Sequence, residues 1–95
     1  METKNTIGIA GKINSRTVLK HSKITNRPYT NFSIYVEPED NPPFYMKIYA
    51  SGDPALIANS LNIGQKVFIN GCLESALLYD GSYGLQINCE NIELL

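Results

Sequence analysis

Apolar and polar residues alternate at every second position along most of this chain, and that period constrains its fold more than any other feature. "NFSIYVE" puts Phe32, Ile34 and Val36 on one side and Asn31, Ser33 and Tyr35 on the other. "FYMKIYAS" separates Phe44, Met46, Ile48 and Ala50 from Tyr45, Lys47 and Tyr49 in the same way. Successive side chains of an extended strand point to opposite faces, so this period predicts half-buried β-strands. "TIGIAGKI" carries it through Ile7, Ile9 and Ile13, and "KVFINGCL" through Val67, Ile69 and Leu73. "GLQINCENIELL" carries it through Leu85, Ile87 and Cys89, then changes phase to Ile92 and Leu94. Gly11 and Gly71 interrupt two runs, and glycine inside a strand marks a bulge or a tight bend.

One segment breaks the period. "GDPALIANSLNIG" reads as a helix of about two turns, with Asp53 as N-cap, Pro54 at the first helical position and Gly64 beyond the end. Leu56, Ile57 and Leu61 would form its apolar stripe. The order is three strands, a short helix, then two strands. This is the connectivity of the OB-fold, an all-β, five-stranded Greek-key barrel with the helix between strands three and four. A length of 95 residues predicts a single OB-fold domain spanning residues 1–95. In this fold, ligands lie on the second and third strands, between the loop joining strands one and two and the loop joining strands four and five.

The last hairpin, "LLYDGSYGL", can be read by register. The core residues Leu73 and Ile87 must share a face, which a two-residue Asp80-Gly81 turn forbids and a three-residue loop, Tyr79 to Gly81, permits. Leu77 then opposes Tyr83, and Leu78 takes the other face with Ser82. The phase change near Glu90 becomes a one-residue bulge, after which Ile69 meets Ile92 and Val67 meets Leu94. Cys72 and Cys89 fall on opposite faces, which disfavours a disulfide. Tyr79 is expected to face a ligand, with Tyr83 and Leu77 stiffening the arm.

The net charge of −1 hides an asymmetry. Up to Val36 the basic residues Lys4, Lys12, Arg16, Lys20, Lys23 and Arg27 face one acid, Glu2. Beyond it, Lys47 and Lys66 stand among Glu37, Glu39, Asp40, Asp53, Glu74, Asp80, Glu90 and Glu93. Such a split permits an anionic partner at one end of the barrel. No Cys/His metal spacing, phosphate loop or Ser/His/Asp set is present, so no cofactor, metal or catalytic activity is expected. No apolar run approaches the roughly 20 residues of a membrane span, and no apolar signal region opens the chain, so a cytoplasmic location without membrane partners is expected.

"NFSIYVE", "YMKIYASG", "GQKVFINGCLES" and "INCENIELL", in this order, resemble the bacterial and phage single-stranded DNA-binding protein family. The resemblance runs from Ile7 to Leu95. It implies an aromatic at Tyr45, a basic residue at Lys47 and a second aromatic that falls on Ser51, for which Tyr49 would substitute. It also implies a homo-oligomer, dimer or tetramer, and a short form without the family's acidic C-terminal tail, as in phage or mobile elements. The DNA-binding set expected on this basis is Tyr35, Tyr45, Lys47 and Tyr49 on the sheet, Tyr79 and Tyr83 on the arm, and Lys12, Arg16, Lys20, Lys23 and Arg27 along the phosphates. Tyrosines covered by a loop or a subunit interface are the structural alternative, and Lys4 and Lys66 read as solvated charges. The chain also resembles the primosomal replication protein of the same fold, which bridges other replication proteins. An OB-fold RNA binder is a third reading.

Overall fold

The computed structural model describes residues 5–78 and 80–95. Its strands are β1 (Ile7–Ile13), β2 (Lys20–His21), β3 (Pro28–Val36), β4 (Phe44–Ser51), β5 (Lys66–Leu77) and β6 (Tyr83–Leu94), with α1 (Asp53–Ala58) between β4 and β5. The five expected strands are present, and β2 is a two-residue addition that pairs with the start of β3. They form one sheet in the order β1-β5-β6-β4-β3-β2, closed into a barrel by a further β1–β3 pairing. All pairings are antiparallel except β4–β6. This is the OB-fold.

The two strand glycines do what their placement suggests. At Gly11, β1 is leaving β5 to pair with β3 through Lys12 and Ile13, and a Cβ there would lie 2.8 Å from the Tyr35 carbonyl oxygen. Gly71 lies at the register shift of β5 against β6. Asn70 faces Asn91 and Gly71 faces Cys89, so Glu90 is the extra residue of the bulge. The hairpin register is as read from the sequence: Leu73 opposes Ile87, Leu77 opposes Tyr83, Ile69 opposes Ile92 and Val67 opposes Leu94. Gly81 adopts φ 87°, and Leu78 N donates to Ser82 O at 2.8 Å. Cys89 is buried, while Cys72 is partly exposed on the outer side, and no disulfide joins them.

The core is the inward set of the alternating strands: Ile13, Phe32, Ile34, Val36, Ile48, Ala50, Val67, Ile69, Ile87, Cys89 and Ile92. Five expectations fail, wholly or in part, at its margins. Phe44, Leu85 and Leu94 have inward parity but are exposed: Leu85 stands on the arm, and Phe44 and Leu94 are the first residue of β4 and the last of β6. In α1 the buried residues are Ala55 and Ala58, whereas Leu56 and Ile57 face outward. Of the expected stripe only Leu61, just past the helix, packs against the core, and the helix itself meets the barrel end through the methyl groups of Ala55 and Ala58. Its N-cap is Gly52 rather than Asp53, which becomes the first helical residue, with Pro54 still in the first turn.

Candidate nucleic-acid interface

The outward side of the barrel can be assembled row by row, because directly opposed residues share a face. Lys66, Lys12, Tyr35 and Tyr45 form one row across β5, β1, β3 and β4. Ser33, Lys47, Gln86 and Glu74 form the next, across β3, β4, β6 and β5. Asn31, Tyr49, Asn88 and Cys72 form the third. Lys20, Tyr29 and Ser51 form the last.

Two tyrosine pairs stand on this lattice. The rings of Tyr35 and Tyr45 are 5.2 Å apart with an interplanar angle of 50°. Those of Tyr29 and Tyr49 are 6.2 Å apart at 31°. Both separations lie in the attractive range for tilted aromatic pairs. Lys47 lies in a row between the two pairs and is exposed. The face therefore offers two aromatic platforms with a cation between them.

The structure gathers only part of the expected set. Tyr35, Tyr45, Lys47 and Tyr49 share the face, and Lys12 and Lys20 border it in the tyrosine rows. Lys12 lies 3.8 Å from Glu37, an exposed ion pair of small energy. Arg16 instead lines a depression with Asn59 and Asn62 beyond the helix. Lys23 sits in the exposed turn closed by Ser22 N donating to Arg27 O. The Arg27 guanidinium folds over Gly52 at the start of α1, next to the row of Tyr29 and Ser51. Lys66 is exposed opposite Lys12.

On the arm, Tyr83 is 74% exposed, and Leu77 and Leu85 are also open to solvent. Tyr79 lies outside the described residues. The arm's turn is fixed by Asp80, whose Oδ1 accepts from Ser82 Oγ at 2.5 Å and from Ser82 N at 2.9 Å. The Ser82 hydroxyl, then its amide, holds the Asp80 carboxyl below the ordinary carboxylate value.

Three members of the face were missed from the sequence. Tyr29 shares the parity of Asn31, Ser33 and Tyr35, a signal hidden because it sits at the loop end of its strand. Gln86 and Asn88 join through the parallel β4–β6 pairing, which no local pattern predicts. Gln86 brings an acid with it, since its Nε2 donates to Glu74 Oε1 at 2.7 Å. Phe68, on the outward side of β5, lies partly exposed across Gly8.

Fold and face together define an OB barrel with an aromatic and basic outer sheet. No family profile and no curated protein matches the chain. Among solved structures, a deletion variant of the single-stranded DNA-binding protein from Thermus aquaticus is similar, with a TM-score of 0.81 at 13% identity. The match covers 96% of this chain and 40% of that one, so this chain spans well under half of that protein's length.

Proposed function

We propose that this protein binds single-stranded DNA without sequence preference, in replication or recombination. The observation that carries the reading is the pair of tyrosine platforms, Tyr35–Tyr45 and Tyr29–Tyr49, flanking Lys47 on an exposed sheet face. Single strands present base faces for stacking and phosphates for cations, and every base has a π-face, which makes stacking tolerant of sequence. Lys47, Lys12 and Lys20 are the nearest phosphate partners, and Tyr79 and Tyr83 act from the arm. Arg16, Lys23 and Arg27 act as outlying charges. The likeness to the Thermus aquaticus protein supports the fold on which this reading rests.

The test is titration of a fluorescently labelled oligo-dT followed by anisotropy across a salt series. Three lysine contacts predict a log–log salt slope of about −2 for a single strand. Failure to bind at low salt would remove the proposal. Oligo-U competing as well as oligo-dT would favour the RNA-binding alternative.

The arm supports a second contact. Leu77, Tyr83 and Leu85 share one face of the β5–β6 hairpin beyond the barrel, and all are exposed. An apolar face of this kind suits a protein partner, either another copy in a dimer or tetramer or a replication protein of the primosomal type. Sedimentation of the wild type beside Leu77→Ser tests the homo-oligomer.

A further inference from the structure

Three neighbouring surface depressions run away from the tyrosine face. The first, of about 350 Å³, lies between Lys12, Lys66 and Leu95 and is walled by Tyr35. The second, of about 290 Å³, shares Lys12 and Tyr35 with it and adds Tyr45, Asn14 and Ile63. The third, of about 350 Å³, shares Ile63 with the second and ends at Arg16, Asn59 and Asn62. Together they make one groove. It starts over β1, passes the outer tyrosine pair, and continues across the loop between α1 and β5.

The far wall of the groove is built rather than loose. Asn62 N donates to Gln65 Oε1 at 3.2 Å, and Gln65 N donates back to Asn62 O at 3.1 Å. Gly64 N donates to Ile13 O at 2.7 Å and Ile13 N to Gln65 O at 2.9 Å, which pins the turn to β1. At the tip of this turn Ile63 is held 66% exposed. The opposite bank is tied down as well, because Thr17 Oγ1 donates to Ala58 O at 3.0 Å beside Arg16. Ile63 lines the second depression together with Tyr35 and Tyr45, so it adds an apolar contact to the aromatic side of the groove.

We propose that a bound single strand leaves the tyrosine face through this groove, packing a base on Ile63 and reaching Arg16, Asn59 and Asn62. This deepens the proposed function and rests on it. Charge complementarity selects the occupant. Lys66, Lys12 and Arg16 are spaced along the groove, and its one acidic side chain, Glu37, already pairs with Lys12. An extended polyanion with flat apolar faces meets both requirements. The asparagine amides at the far end present donors and acceptors to a base edge without selecting one base. The inference also assigns a place to Arg16, which the tyrosine face leaves out, and gives Lys66 a partner.

The experiment is an amide NMR titration of the protein with oligo-dT of increasing length. With short oligomers the amides of Tyr45 and Lys47 shift first. With longer ones the amides of Asn59, Asn62, Ile63 and Gly64 are expected to follow. Ile63→Asp is expected to weaken the longer oligomers by on the order of tenfold, while Leu56→Asp, a matched change on the exposed face of α1, leaves them unchanged. Shifts at Tyr45 and Lys47 with none at residues 59–64 at any length overturn the groove and leave the proposed function standing. Absence of binding anywhere overturns both. Shifts at residues 59–64 that depend on protein concentration without DNA assign the groove to a second copy of the chain and overturn the proposal.

Discussion

Tyr45→Ala separates folding from binding more cleanly than any other change on the face. Tyr45 is 65% exposed, and the core contacts of its strand come from Ile48 and Ala50 on the opposite side. The loss to the fold is mainly its ring contact with Tyr35 across the β3–β4 register, 5.2 Å between centroids. Such a pair stabilises by about 1 kcal/mol, which lowers Tm by roughly 4–8 °C in a domain of this size. Loss of one stacked base costs a further ~1–3 kcal/mol of binding, a weakening of roughly 5- to 150-fold. Stacking displaces no counterions, so the salt slope should stay that of the wild type. Lys47→Ala should do the reverse, flattening the slope by about 0.7 with a smaller loss at high salt. Anisotropy titrations of both variants against labelled oligo-dT over one salt series measure intercept and slope together. Wild-type affinity in Tyr45→Ala at every salt concentration would refute the stacking role, and a flattened slope would show that the tyrosine acts by positioning a charge.

Other expectations concern the scaffold. Gly71→Ala would set a methyl group onto the Asn88 carbonyl oxygen at the bulge, where only backbone movement gives relief. A loss of about 3 kcal/mol is expected in urea unfolding, whereas Gly84→Ala meets only the exposed Leu78 side chain and should cost far less. Burial pushes the Cys89 thiol up to about 11 from an ordinary 9.0. Iodoacetamide at mildly alkaline pH should therefore label Cys72 first and reach Cys89 only as the barrel opens. The unfolded chain ionises its thiol first, so stability conferred by the neutral thiol is intact below pH 9 and is lost as pH rises toward 11. Thermal melts of Cys89→Ala should show a shallower alkaline decline than the wild type across that window.

The sequence made the strands and their register legible because two constraints act on each pairing. In the β5–β6 hairpin, period-two burial and loop length together allow one solution, and the same logic places the bulge at Glu90. The helix was legible as an element, through Pro54 and its break in alternation, but not in its orientation. Its buried side is chosen by how closely it meets the barrel end, and that distance is set by residues far away in the chain. Leu85 shows the same limit, since parity says which face a residue takes but not where the barrel wall stops. Within the site, Tyr35, Tyr45, Lys47 and Tyr49 follow from alternation alone. The dispersal of Arg16 and Arg27 does not, because long side chains on a loop go wherever the loop's hydrogen bonds turn them.

The closed barrel joins rows of outward residues to inward ones only through alternation along each strand. Two messages are thus written in the same strands, at alternating positions along each. The inward message needs volume and apolarity at sites such as Ile34, Ile48 and Ile87, all fully buried. The outward message needs only that its letters be soluble and suit whatever is bound. Either can be rewritten while the other is kept: an aromatic at Ser51, across the row from Tyr29, would enlarge the outer face from the side away from the core. Backbones built this way can stay superimposable after most of their letters have changed.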